Sequence, residues 1–469
     1  MVFSFGQCGR FFRHPSLRSV ALAALTASSW AGAQAQSLVQ MTEQAQTYDA
    51  AWQSARAQLD ATISQGAQAK AGLLPRIGIQ AGSQYSDTRV RGDLPTQRID
   101  GRQDSASLQA SQPLYNPAHL ATYRQGQRTV DLAYARVDAS AQDLLVRTAQ
   151  AYFQVLAAQD SLQLVQTQKR AVAEQLAFAQ RNFEIGTATV TDSREAQARF
   201  DLVRAQEIAA ENDLRIARAA LEQLVGIPGA TPWPLAQPVR LPDLTPSELS
   251  AWLQLAEAQS PLIRQAQIGV EVARLETDKA YAGHKPTVDL QASYATQRNP
   301  DGSVTMPMRN HTTVGTVGVV MNIPLFAGFA VQNRVKETLS LEEKAQADLE
   351  DVKRQVAQAV RSAFFGVQSA YGQIKALEAA VASSQSALEA NQLGYEVGVR
   401  INMDVLNAQS QLFQSQKDLA QARYNLLLGH LQLRQAVGNL AMQDVHAINT
   451  LLSPAQIAAA EAMLLPHKK

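Results

Sequence analysis

The side chains able to do chemistry in this chain of 469 residues do not gather into a catalytic constellation. Of its seven histidines, His14 and His467 lie near the ends. His119, His284, His311, His430 and His446 show no i,i+3 or i,i+4 pairing, the spacing that puts two metal ligands on one helix face. The one cysteine is Cys8, which leaves no disulfide framework and no paired thiol ligands. Walker-type phosphate loops, dinucleotide fingerprints, G-x-S-x-G and H-E-x-x-H are all absent. What remains is electrostatic. Two short turns carry it, Asn182-Phe183-Glu184-Ile185-Gly186-Thr187-Ala188-Thr189-Val190-Thr191-Asp192 and Gly394-Tyr395-Glu396-Val397-Gly398-Val399-Arg400-Ile401-Asn402-Met403-Asp404. Phe183 matches Tyr395, Gly186 matches Gly398 and Asp192 matches Asp404, at a constant offset of 212. Carboxylates and an arginine at such turns can make ion pairs, and a tyrosine a hydrogen bond, that hold the end of a bundle shut. A partly exposed pair is worth about 0–1 kcal/mol, so such a closure is reversible. Asp192 also suits a second role, as N-cap of a helix opening at Ser193.

The elements that must position these turns repeat. Gly72-Leu73-Leu74-Pro75 matches Gly283-His284-Lys285-Pro286, and Pro113-Leu114-Tyr115 matches Pro324-Leu325-Phe326, both at offset 211. Ala151-Tyr152-Phe153 matches Ala363-Phe364-Phe365, and Val225-Gly226 matches Val437-Gly438, at offset 212. One single-residue slip across so many landmarks marks a tandem duplication. Each half predicts a helix, two strands and a long helical hairpin. Residues 37–71 read as the first helix, stopped by Pro75. Ile77, Ile79 and Ala81 alternate with Gly78, Gln80 and Gly82, and Leu108 and Ala110 with Ser107, Gln109 and Ser111, the period of a strand with one apolar face. Polar loops are expected over 86–105 and 296–311. In the second half, 261–282 reads as helix, and Val288, Leu290, Ala292 and Tyr294, then Val317, Val319, Met321 and Ile323, form strand faces. No proline occurs between Pro117 and Pro228 or between Pro324 and Pro454, and a helix over 118–184 would be about 100 Å long at 1.5 Å per residue. Pro75, Pro113, Pro286 and Pro324 fall where strand meets helix, a place suited to a residue with no N–H to donate. The expected division is 1–35 signal peptide, 36–226 first repeat, 227–250 proline-rich linker, 251–438 second repeat and 439–469 tail, the tail carrying a short amphipathic helix after Pro454.

Arg10, Arg13 and Arg18, a short apolar run from Val20, and small residues at Ala31, Ala33 and Ala35 fit a Sec-type signal peptide cleaved between residues 33 and 35. Its removal takes Lys+Arg from 42 to 39 against 41 Asp+Glu, a mature charge of −2, and takes Cys8 with it. That charge gives no reason to expect a nucleic-acid partner. No later stretch is apolar enough for a transmembrane helix, so an exported protein of this kind enters a membrane only as a β-barrel. Four strands of about ten residues are long enough to cross but cannot close, and an open edge in lipid leaves amides unpaired. Two copies give eight strands, a barrel filled by its own side chains. Three give twelve, and the Gly- and Ser-rich inner faces favour that wider homotrimer. Leu412, Leu419, Leu426 and Leu433, beside Ala408, Ser415, Ala422, Gly429 and Ala436, are heptad columns, as are Ala196, Val203, Ala210, Ala217 and Leu224. Thin helices rich in Gln and Ala suit a wall around water. The alternative is a soluble periplasmic coiled-coil adaptor.

The sequence resembles the TolC family of outer-membrane exit ducts over its whole mature length. Ala71-Gly72-Leu73-Leu74-Pro75, the duplicated hairpins and Tyr395-Glu396-Val397-Gly398-Val399-Arg400 through Asp404-Val405-Leu406 carry the likeness. The resemblance implies an α+β, mainly α, membrane protein: a trimeric twelve-stranded barrel continuous with a long α-helical coiled-coil tunnel in the periplasm. It implies an outer-membrane location, contact with outer-membrane lipid, a periplasmic adaptor (membrane fusion) protein and an inner-membrane ABC or RND-type pump as partners, and no cofactor. It implies efflux or type I secretion through a passive conduit, and no enzymatic activity. It also implies a periplasmic gate at Thr191, Asp192, Tyr395 and Arg400, with Asp404 in an acidic ring. The next ring position falls on Asn407, a departure from the family's pattern.

Overall fold

The computed structural model describes residues 36–90, 97–186, 189–236, 238–239, 241–302 and 308–453. The expected signal peptide and the expected helix after Pro454 lie outside them. The chain runs α1 (Leu38–Tyr48), α2 (Ala50–Ala71), β1 (Arg76–Val90), β2 (Gln97–Tyr115), α3 (Pro117–Glu184), α4 (Val190–Val225), α5 (Leu249–Gln259), α6 (Pro261–Tyr281), β3 (Thr287–Asn299), β4 (Asn310–Asn322), α7 (Ala330–Glu396), α8 (Asn402–Val437) and α9 (Met442–Asn449).

The strands form one antiparallel sheet in the order β1-β2-β3-β4. Its register collects like with like. Ile79, Leu108 and Tyr294 pair across three strands, and Ile77, Ala110, Ala292 and Val317 across four. The other face carries Gly78, Gln109, Ser293 and Thr316 in one row, where the Ser293 and Thr316 hydroxyls lie 2.7 Å apart. The apolar face lies largely open: Ile77, Ile79 and Val317 are 72%, 81% and 79% exposed. A sheet greasy outside and polar inside is the pattern of a membrane barrel wall. Both β1 and β4 are edges.

The strands run 15, 19, 13 and 13 residues, longer than the ten or so expected, and they take in much of the expected polar loops. Cross-strand pairs explain the extension. Arg98 grips Asp87 through two bonds of 3.1 and 3.0 Å, Tyr85 donates to Asp100 at 2.8 Å, and Asp301 accepts from the Arg102 amide at 3.0 Å, tying the hairpins together. Pro75 and Pro286 each precede a strand by one residue, and Pro324 follows β4. Pro113 instead lies inside the end of β2, where the pairing with β3 slips between Pro113 and Tyr115. A residue with no ladder N–H is tolerated at such an irregularity.

Below the sheet, α2, α3, α6 and α7 lie side by side. Past mid-length, α3 pairs with α4 and α7 with α8, as two coils. With 68 and 67 residues, α3 and α7 each span about 100 Å. Leu412, Leu419, Leu426 and Leu433 are all buried, as the heptads require.

The expected first helix is two helices. Asp49 takes an extended backbone (φ −62°, ψ 118°), and its carboxylate accepts from the Ala51 and Trp52 amides to start α2. Ser260, 211 residues on, makes the same break between α5 and α6 (φ −62°, ψ 120°). These breaks fold the ends of both repeats around the middle of the long helices. There the linker and α9 pack with them: Ala230, Leu235, Val445 and Leu452 share one core with Leu144, Tyr152, Leu221 and Leu431. The buried Tyr152 hydroxyl accepts from the Trp233 amide at 2.7 Å, and burial pushes its ionisation well above the ordinary phenol range. Further round, Tyr371 donates to the Pro242 carbonyl and meets His430 Nε2 at 2.8 Å, while burial lowers the imidazole to about 4.

Candidate gate at the helical tip

Both turns are entered by the same backbone. Ile185 (φ −90°, ψ 2°) and Val397 (φ −89°, ψ 3°) end α3 and α7. Gly186 and Gly398 follow in the left-handed region at φ 78° and 79°, where a Cβ would cost about 1–2 kcal/mol. The next helices open at Val190 and Asn402, again 212 apart.

Their side chains differ. In the first turn Thr189, not Asp192, is the N-cap. Its hydroxyl accepts from the Asp192 amide at 3.3 Å, and the Asp192 carboxylate accepts from the Thr189 amide at 3.0 Å and hydroxyl at 2.8 Å. This is a reciprocal capping box, and the helix starts three residues before the expected Ser193. Thr191 is exposed beside it. In the second turn Ile401 stands where a cap would, and no side chain caps α8. The Gly394 carbonyl accepts from the Val399 and Arg400 amides at 2.8 and 3.0 Å. Arg400 reaches Asp404 at 3.5 Å, with the two side chains 58% and 35% exposed. Arg400 and Asp192 form no ion pair within the chain; each has its local partner.

The coils are joined by contacts that the sequence did not single out. The Tyr395 ring meets Phe178 edge-on at 6.0 Å. Gln175 donates to the Asn402 side-chain oxygen, and Arg199 donates to the Ser410 hydroxyl. Val172, Val203 and Leu406 form a small apolar cluster between the two links. Nearer the equator, Tyr424 donates to Asp160 at 2.7 Å; burial raises that carboxyl above its usual range. The seam is thus a series of single contacts from four separate helices. Asn402 and Ser410 lie outside both heptad columns of α8, so no spacing marked them. Among the described residues no group of acids, histidines or cysteines is arranged to hold a metal ion.

The model of the family described as outer membrane efflux protein matches residues 41–227 and 252–439. The chain belongs to that family. It is 32% identical over 442 residues to the outer membrane protein TolC of Vibrio cholerae, covering 94% of this chain and 99% of that protein. It is 34% identical over 408 residues to the alkaline protease secretion protein AprF of Pseudomonas aeruginosa, covering 85% and 84%. The outer membrane protein VceC of Vibrio cholerae superposes with a TM-score of 0.75 at 18% identity, covering 86% of this chain and 96% of that one. This outer membrane efflux protein is therefore a channel of the outer membrane, of the efflux and type I secretion class. It is neither an enzyme nor the soluble adaptor held as the alternative.

Proposed function

We propose that three copies close a twelve-stranded barrel and a continuous helical tunnel, forming a passive exit duct. A periplasmic adaptor (membrane fusion) protein recruits it, and an inner-membrane ABC or RND-type pump drives it. The unpaired β1 and β4 edges carry this reading: in lipid each must be paired, and β4 of one copy can continue the sheet onto β1 of the next. On this reading residues 36–226 and 251–438 are two structural repeats, joined by the linker 227–250 and wrapped by the tail 439–469. The names of the relatives support export of proteins or small molecules as the task.

The gate is assigned to Thr191, Asp192, Tyr395, Arg400 and Asp404, swung on Gly186 and Gly398. Exposure of the Arg400–Asp404 pair keeps its worth to about 0–1 kcal/mol, small enough for an adaptor to displace. Light scattering of the detergent-extracted particle should give three chains, and a monomer would remove the barrel. In planar bilayers Arg400→Ser and Tyr395→Phe should each raise single-channel conductance. A double variant conducting like the parent would end the gate assignment while leaving the barrel intact.

A further inference from the structure

We propose that the groove between the start of α3 and the end of α6 binds the headgroup of a zwitterionic phospholipid from the inner leaflet of the outer membrane. Arg124 and Lys285 would hold the phosphate and Asp278 the ammonium. The cavity measures about 550 Å³ and is lined by Leu120, Arg124, Leu275, Asp278, Tyr281 and Lys285, among others. That volume falls within the roughly 300–1,000 Å³ of small-molecule sites.

Three observations carry the assignment. The first is depth. Pro117 follows β2 by two residues and Lys285 precedes β3 by two, so the cavity sits directly under the barrel wall. The second is unspent charge. Arg128 pairs with Glu271, and Arg334 with Glu276, on the neighbouring turns. The Arg124, Asp278, Tyr281 and Lys285 side chains have no hydrogen-bond or ion-pair partner among the described residues. Arg124, Lys285 and Asp278 are exposed along the same groove; two cations and one carboxylate complement a phosphate bearing an ammonium arm, and such charge-assisted bonds are the strong ones.

The third is the side of the wall. Leu120 and Tyr281 are exposed at 41% and 45%. The sheet's inner face is made of Gly, Ser, Gln and Thr, and the opposite face of α3 continues that character with Ala118, Thr122 and Thr129, whose threonine hydroxyls turn back onto the helix backbone. An exposed leucine and tyrosine fit the lipid side, at the level where aromatic side chains anchor barrels. The groove also lies between the two inner helices of the α2-α3-α6-α7 row, so assembly through the outer two leaves it open.

Native mass spectrometry of the full chain in detergent tests this, with short-chain phosphatidylethanolamine, phosphatidylglycerol and inorganic phosphate as separate titrants. The parent should take up one phosphatidylethanolamine per chain and bind it about tenfold more tightly than phosphatidylglycerol, a difference of about 1.4 kcal/mol. Asp278→Asn should abolish that preference while still binding phosphatidylglycerol. Arg124→Gln with Lys285→Gln should lose both lipids, with the mass of the assembled particle and far-UV circular dichroism unchanged to show that it folds. Equal uptake of both lipids by the parent and the Asp278→Asn variant would overturn the proposal. So would inorganic phosphate competing as well as the lipid, which would mark a plain anion site.

Discussion

The two tip turns are entered by the same backbone and differ in the side chains that follow. Ile185 and Val397 agree within a degree in φ and ψ, and Gly186 and Gly398 in φ. Yet Thr189 and Asp192 lock the first turn into its helix, while the second leaves α8 uncapped and keeps Asp404 on a solvent-exposed arginine. Duplication preserved what glycine and helix geometry dictate and let the side-chain tasks diverge. The first turn is tied to its helix by reciprocal bonds. The second is held by an exposed pair weak enough to exchange.

The comparison can be broken most readily at the capping box. Thr189→Ala should cost about 1–2 kcal/mol locally, read as faster amide exchange at Asp192, with no matching effect from Ile401→Ala. Comparable losses at both would mean the turns are held alike. Next come the glycines. Gly186→Ala and Gly398→Ala should each cost about 1–2 kcal/mol, and the same amount, since their φ values match; unequal costs, measured by local exchange, would show that surroundings outweigh φ. A cap can also be built. Ile401→Thr should complete a second box with Asp404 at the third helical position, stabilising α8 by about 0.5–1 kcal/mol and slowing exchange at Asp404. No gain would mean that Arg400 holds Asp404 more firmly than its exposure implies. The smallest effect belongs to Asp404→Asn, about 0–1 kcal/mol and weaker still in high salt, against a larger loss for Asp192→Asn, whose carboxylate accepts two bonds in the box.

Local order was legible. Long stretches free of proline between Pro117 and Pro228 and between Pro324 and Pro454 read as the long hairpins of α3 and α7, period-two alternation as the strands, and Gly186 and Gly398 as the turns. The misreadings share a cause. Asp49 breaks a helix that propensity would continue, because the terminal piece α1 bends away to cover the core around Tyr152. Met442–Asn449 is a helix that no sequence pattern singled out, since eight residues carry too little periodicity to stand out. The strands outran their apolar band because ion pairs such as Arg98–Asp87 join residues whose partners a linear reading does not show. Asp192 was legible as a cap but assigned one role too early in the helix, since Thr189 and Asp192 share the work.

The sequence by itself determined the elements, their duplication and their outward or inward faces, because each depends on residues within a few turns or a few strand positions. Only the tertiary structure decided which elements meet. That β2 lies beside β3 across an intervening helical hairpin, that Gln175 finds Asn402 and Arg199 finds Ser410, and that the sheet ends in two bare edges follow from contacts between distant segments. Such contacts arise when whole faces are buried together, and no local spacing records them.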